Sequence, residues 1–272
     1  MARLIIEAGR SESQYWRDLW RYRELFHFLA WRDLLVRYKQ TVVGVAWSLI
    51  QPLLTMLVLT FVFGKLGKFP SGGGPYPLMV LCGMLPWQFF SNALAGSGGS
   101  LVANSNLISK VYFPRLVIPA STVITSLVDF AISGAFLIVL MFWYRYLPPL
   151  NILLLPAFVF LAFAASFGVG LWFAALMVKY RDFKFIVPFV VQFGLYISPV
   201  GFPSTVVPAQ YRLLYSLNPI VGVIDGFRWC ILGGTQVMYW PGLALSVFAV
   251  VLLLVTGIAY FRKTERTFAD VI

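Results

Sequence analysis

A chain of 272 residues that is 60% hydrophobic and only 11% charged is not a soluble globular domain, whose charged fraction averages about a quarter. With a mean hydropathy of +0.83 it reads as a polytopic membrane protein. The net charge of +11 does not point to nucleic acid, because the basic residues sort along the chain by segment instead of gathering on one soluble module.

The first forty residues hold eight of the twenty-one Lys and Arg: Arg3, Arg10, Arg17, Arg21, Arg23, Arg32, Arg37 and Lys39. They lack a short apolar core followed by a small-residue cleavage site, so no cleavable signal is expected. From Phe28 the apolar positions Trp31, Leu35 and Tyr38 follow helical spacing, with Asp33 and Arg37 roughly opposite. That pattern suits an amphipathic helix in the headgroup region with snorkelling basic side chains, or a positive anchor before the first span.

Six spans are expected: Val43 to Phe63, Tyr76 to about Gly96, Leu116 to Trp143, Ile152 to Val178, Phe185 to about Val200, and Trp240 to Phe261. Pro52 interrupts the first and Pro86 the second, where neighbouring helices must cover the freed carbonyls. The spacings Ala164 with Gly168 and Ser166 with Gly170 invite close helix packing. Cys82 and Cys230 are too few for a disulfide framework or a metal site, although a bridge between them stays open.

Between the second and third spans the run LPWQFFSNALAGSGGSLVANSNLISKVYFPRLVIP, Leu85 to Pro119, loses hydrophobicity through Ser97 to Ser100. It then offers Asn104, Ser105 and Asn106 as N-cap candidates for a short surface helix through Leu107, Ile108, Ser109, Lys110 and Val111. Pro114 stops that helix, and Pro119 falls near the start of the next, where its missing N–H costs least.

The stretch from Ser198 to Gly234 is too broken to span and too apolar for an ordinary loop. Two short re-entrant or interfacial helices are expected there, with Asn218 and Pro219 at the turn between them. A seventh span from Ile220 to Leu232 is rejected as too short and interrupted by Asp225 and Arg228, which are three apart and read as a local ion pair. Sixteen Lys and Arg fall on the N-terminus, the Ser97 to Arg115 loop, the Lys179 to Lys184 turn and the C-terminal tail, against five elsewhere. Both termini are therefore expected in the cytoplasm and the Ser198 to Gly234 stretch on the outer face.

No phosphate-binding loop, dinucleotide fingerprint or metal-spaced cluster of His, Cys and carboxylates occurs, so no covalent chemistry is expected of the chain itself. His27 reads as structural. Asp129 lies deep in the third span, where a carboxylate is costly. With no basic partner evident within the spans, interhelical hydrogen bonding or a pore-lining role is preferred to proton coupling. On the fifth span Phe185, Phe189, Phe193 and Tyr196 share one helical face, while Trp87, Phe89 and Phe90 crowd the second. Such aromatic faces are platforms on which sugar C–H groups can slide, although packing and lipid contact are the commoner explanations of such residues. Trp143, Tyr144 and Tyr146 read as an interfacial aromatic belt.

Four motifs together carry a family likeness: WRDLLVRYKQTVVGVAWSLIQPL from Trp31 to Leu53, the Leu85 to Pro119 run, KYRDF from Lys179 to Phe183, and SPVGFP with LNP and the later Arg228. In order and spacing they resemble the permease subunits of ABC-2 type polysaccharide exporters, which move O-antigen, capsule and teichoic acid. The resemblance implies an all-α membrane protein. It would have six transmembrane helices, a cytoplasmic or interfacial N-terminal segment over residues 1–40 that carries an amphipathic helix, a transmembrane domain over 41–262 and a cytoplasmic tail over 263–272. It also implies a homodimer in the bacterial cytoplasmic membrane, joined to two copies of a separate ATPase that binds ATP and magnesium. The short helix from Asn104 to Val111 would be a coupling helix, with a second contact at the Lys179 to Lys184 turn through Arg181 and Asp182. The broken segment with Asn218, Pro219, Asp225 and Arg228 would be an outer gate. The cargo implied is a glycan on a polyprenyl pyrophosphate. Trp87, Phe90, Phe189, Phe193 and Tyr196 are candidates to line its conduit. Arg32, Arg37 and Lys39 are candidates to hold the pyrophosphate or anionic lipid. A drug or small-lipid ABC-2 permease, or a proton-coupled carrier using Asp129, remain the alternatives.

Overall fold

The computed structural model describes residues 12–39, 44–180, 182–233 and 238–268. Among them the secondary structure is helical throughout, with eleven α-helices. Two short helices, α1 (Glu12–Arg21) and α2 (Arg23–Lys39), precede α3 (Gly44–Leu59), which continues as a π-helical turn over Thr60–Leu66. Then come α4 (Tyr76–Ala103), α5 (Ser105–Lys110), α6 (Val117–Trp143), α7 (Leu155–Lys179), α8 (Phe183–Ile197), α9 (Ala209–Tyr215), α10 (Pro219–Leu232) and α11 (Trp240–Glu265).

Five helical stretches are long and apolar enough to cross a bilayer: Ala46–Leu66, Tyr76–Ala103, Val117–Trp143, Leu150–Lys179 and Trp240–Glu265. The fifth expected span, α8, is apolar but has 15 residues, about 22 Å at 1.5 Å per residue against a core of about 30 Å. Its chain then turns at Ser198 into the Pro- and Gly-punctuated segment.

The helix α4 is the centre of the bundle. Its most apolar window is 83% buried, against 11% for Ala46–Leu66, and it packs on α3, α6, α7, α8 and α10. The helix does not end near Gly96 but runs on to Ala103, and the small residues that lower hydrophobicity there form a packing seam. Ser97, Gly98 and Ser100 are buried, and a Cβ on Gly170 of α7 would lie 2.2 Å from the Ser97 hydroxyl. Small side chains on facing positions let two helix axes approach without a hydrophobic drive. Each hydroxyl is satisfied within α4: Ser97 donates to the Ala93 carbonyl at 2.5 Å and Ser100 to the Ser97 carbonyl at 2.7 Å.

The same logic joins α7 to α11, at a glycine the small-residue spacing had marked. A Cβ on Gly168 would lie 2.7 Å from the Leu254 backbone, and one on Gly257 would lie 2.4 Å from the Gly168 carbonyl oxygen. Gly257→Ala must therefore separate the two helices, and overpacking of this kind costs about 1–3 kcal/mol. A lowered thermal midpoint is expected by size-exclusion fluorescence in detergent. Gly134→Ala on α6, where nothing lies within 4 Å of the new methyl, is expected to raise the midpoint slightly by removing glycine's backbone entropy.

Cys82 and Cys230 are both buried free thiols, so the bridge left open by the sequence is not formed. Of the expected belt, Trp143 is 82% exposed, whereas the Tyr146 hydroxyl donates to the Leu232 carbonyl and straps the loop after α6 to α10. The helices α1, α2 and α5 gather at one end of the bundle with the last turn of α11. Leu29, Ile108, Phe113, Leu116, Val178, Phe261 and Phe268 share an apolar cluster there.

Candidate functional site

The helix α5 is a six-residue peg. Ile108 is 5% exposed and inserts with Leu107 into the apolar cluster beneath, whereas Asn106, Ser109, Lys110 and Val111 face outward and Ser105 is half-buried. Asn104 stands at the N-cap position as expected but does not cap with its side chain. Its Oδ1 accepts from Arg32 Nη2 at 2.9 Å, and its Nδ2 donates to the Ser100 carbonyl at 2.8 Å. A charged donor outcompetes a backbone N–H for that oxygen, since hydrogen bonds to ionised groups are about twice as strong. Asn104 thereby ties α5 to α2. Arg32 is shared with Asp33 at 2.8 Å, so two of its donors are already engaged. Lys39 is exposed at the end of α2.

A second knot fixes the same end. The Glu265 carboxylate accepts from the Tyr15 hydroxyl at 2.9 Å and from the Arg115 backbone N–H at 2.7 Å, while the Arg115 guanidinium donates to the Glu265 carbonyl. The Arg262 guanidinium lies 4.6 Å from the centroid of the Tyr15 ring. Burial foremost, and then the neighbouring Glu265 charge, raise the Tyr15 hydroxyl well above its ordinary pKa of 10.0. It therefore stays protonated and donating at neutral pH. The knot joins α1, the linker after α5 and the end of α11, so α5 is held from two sides. Asp182, just ahead of α8, is exposed, and Arg181 lies outside the described residues.

Asp129 has the basic partner that the spans did not supply. Arg37 and Tyr38 of α2 both reach it, the guanidinium to Oδ2 and the hydroxyl to Oδ1. The carboxylate is 13% exposed and the Arg37 side chain 44%. Burial first, then the hydrogen bond to Asp129, push the Tyr38 hydroxyl up to about 12. The helix α2 lies against α6 and α3, close enough for Arg37 to reach into the Val117–Trp143 stretch. Beside this cluster is a 580 Å³ cavity between α3, α4 and α6, lined among others by Gln51, Gln88, Asn92, Ser126, Asp129 and Ser133. Apart from Asp129 these residues were missed. They stand singly or beside one other small polar residue in apolar runs, and only helix rotation, which the sequence does not state, brings them to one place.

The aromatic candidates divide. Phe189, Phe193 and Tyr196 are 59%, 53% and 63% exposed on one face of α8, as their spacing predicted, with Phe189 and Phe193 ring centroids 4.8 Å apart. Trp87 and Phe90 are 5% and 8% exposed and belong to the core. The Trp87 ring is packed so closely against Gly194 that a Cβ there would lie 2.3 Å away, so Trp87 supports α8 from behind and offers no free surface.

At the opposite end, Asn218 caps α10 by accepting from the Ile220 N–H at 3.2 Å, and its Nδ2 donates to the Ser198 hydroxyl at 3.0 Å. Pro219 occupies the first helical turn, where it forfeits nothing. The expected local pairing of Asp225 with Arg228 gives way to longer reach. Arg228 is 1% exposed and donates to the carbonyls of Met79 (3.3 Å), Phe202 (2.9 Å) and Val200 (2.8 Å). Asp225 hydrogen-bonds with Ser204 and acts on Arg228 only electrostatically. A rigid fork of donors suits three carbonyls better than one carboxylate a helical turn away.

Comparison with known proteins adds a family and relatives. Residues 24–232 match the family described as "ABC-2 type transporter". The chain is 28% identical over 242 residues to an "O-antigen export system permease protein RfbA" of Klebsiella pneumoniae, covering 89% of this chain and 92% of that one. It is 29% identical over 258 residues to the protein of the same name in Myxococcus xanthus, covering 93% and 97%. To the "Polysialic acid transport protein KpsM" of Escherichia coli it is 27% identical over 242 residues, covering 86% and 91%.

Proposed function

The chain belongs to the ABC-2 type transporter family, and from that premise we propose that it is the permease subunit of an ATP-driven exporter of lipid-linked polysaccharide. The carrying observation is near full-length similarity to permeases named for two different polysaccharides, O-antigen and polysialic acid. A second copy of the chain completes the conduit, and two copies of a separate ATPase supply ATP and magnesium. The peg α5 is the surface for that ATPase: it is held by Asn104 and Ile108 and offers Asn106, Ser109 and Lys110. Asp182 adds a second contact. Both termini lie in the cytoplasm and the protein is multi-pass in the bacterial inner membrane, in keeping with the sixteen-to-five distribution of Lys and Arg.

In this reading α8 is a short fifth span that brings the total to six, and α9 with α10 form the re-entrant outer element. The exposed faces of Phe189, Phe193 and Tyr196 meet across the dimer and give the glycan an apolar, weakly directional lining. The proton-carrier alternative is disfavoured because Asp129 is paired with a guanidinium that does not deprotonate.

The test is affinity purification of the tagged chain from native membranes in mild detergent. A stoichiometric ATPase is expected with it, with hydrolysis altered by lipid-linked glycan, and deletion of the chain is expected to leave polysaccharide inside the cell. Recovery of the chain alone, with transport abolished by a protonophore and indifferent to ATP, would overturn the proposal.

A further inference from the structure

We propose that the 580 Å³ cavity between α3, α4 and α6 is a sugar-binding subsite inside each protomer, reading the hydroxyls of one or two glycan rings at membrane depth. The inference rests on the polysaccharide reading above. Asp129 stands twelve residues after Val117, about 18 Å along α6, so the cavity lies well inside the bilayer span. Three amides converge there, Gln51 from α3 with Gln88 and Asn92 from α4. None of them is hydrogen-bonded to another group among the described residues. Gln88 and Asn92 are half-buried and Gln51 is exposed, so their free amides are open to a guest with many donors and acceptors.

The chemistry of the wall selects the guest. Amides both donate and accept, as sugar hydroxyls do, and Asp129 adds an acceptor whose charge Arg37 already balances. The site is therefore suited to a neutral ligand and not to a phosphate. Trp47 and Phe130, which are not buried, supply ring faces for sugar C–H groups. The volume falls in the range of about 300–1,000 Å³ typical of small-ligand sites.

Access is also built. Arg37 lines a second cavity of 710 Å³ that extends back past Gly96 and Gly99 to Arg32 and Asn104 beside α5. Nothing lies within 4 Å of where a Gly99 Cβ would stand. The two cavities share Arg37, so the Arg37–Asp129 pair lies where they meet.

The test uses Gln88→Cys in a chain whose Cys82 and Cys230 are replaced by Ala, assembled with its ATPase in native membranes. A charged methanethiosulfonate is the probe. Labelling at position 88 is expected to be slower by about threefold or more in membranes making the polysaccharide than in membranes where its synthesis is blocked, as for a site occupied at twice its Kd. In the otherwise unaltered chain, Gln88→Leu with Asn92→Leu is expected to lower surface polysaccharide about tenfold, a 1.4 kcal/mol effect, with recovery of the assembled complex unchanged. Equal, rapid labelling in both membranes overturns the subsite, as does a position the reagent never reaches. Equal, slow labelling relieved by detergent extraction assigns the pocket to a lipid headgroup and likewise overturns it. Surface polysaccharide that persists when the whole chain is deleted marks failure of the exporter reading instead.

Discussion

Arg228→Met is expected to lose most of the folded protein. The guanidinium is 1% exposed and joins α10 to two other segments through its carbonyl partners: α4 at Met79, and the turn after α8 at Val200 and Phe202. Methionine fills the length but donates nothing, so three buried carbonyls lose their partner. Removing one member of a buried charged network costs about 3–5 kcal/mol. Lysine is expected to fall between, because an ammonium cannot present the planar fork that meets carbonyls on separate segments. Gly83 forms the notch that admits the side chain, since a Cβ there would lie 2.7 Å from Arg228 Nη2 and 3.1 Å from the Val200 carbonyl. Gly83→Ala should therefore reproduce part of the loss without touching the charge. The measurement is the thermal midpoint of the detergent-solubilised chain. A midpoint unchanged in Arg228→Met would show that these carbonyls find other donors.

The long helices were legible because hydrophobic run length is a one-dimensional property. Val117–Trp143 and Trp240–Glu265 agree with expectation within a few residues at either end. The short helix after Asn104 was legible from its polar start and its proline stop, and Asn218 from its place before Pro219. What sequence concealed was direction. A run of Ser and Gly lowers hydropathy whether it leaves the bilayer or packs against another helix, and only the fit of Ser97 to Gly170 distinguishes the two. Trp87 and Phe193 are equally aromatic, yet one is buried in the bundle and the other exposed on its surface. Asp129 was conspicuous, but Arg37 is 92 residues away on a helix outside the spans. The spacing of Asp225 and Arg228 suggested a local pair, because sequence shows near neighbours and hides the distant carbonyls that won.

Breaking the Arg37–Asp129 pair is expected to have the second largest effect, and to separate a strut from a proton relay. Arg37→Met leaves a carboxylate at membrane depth with only the Tyr38 hydroxyl to hold it. A fully buried unpaired charge would cost about 3–5 kcal/mol, but Arg37 is 44% exposed, and the expected cost is closer to about 1–3 kcal/mol. Asp129→Asn is milder, because the amide still accepts from Tyr38 and leaves a partly solvated guanidinium. Since α2 also holds Asn104 through Arg32, loosening it at Asp129 frees the support of α5, and export should fall more than protein yield does. The charge swap Arg37→Asp with Asp129→Arg is expected to recover part of both, with a coupling energy of roughly 0.5–3 kcal/mol in the double-mutant cycle. A relay predicts otherwise: Asp129→Asn would abolish transport outright, and the swap would restore nothing because the titrating carboxylate has left its helix. Partial recovery by the swap, with transport still following ATP, identifies the pair as the strut that fixes α2 to α6.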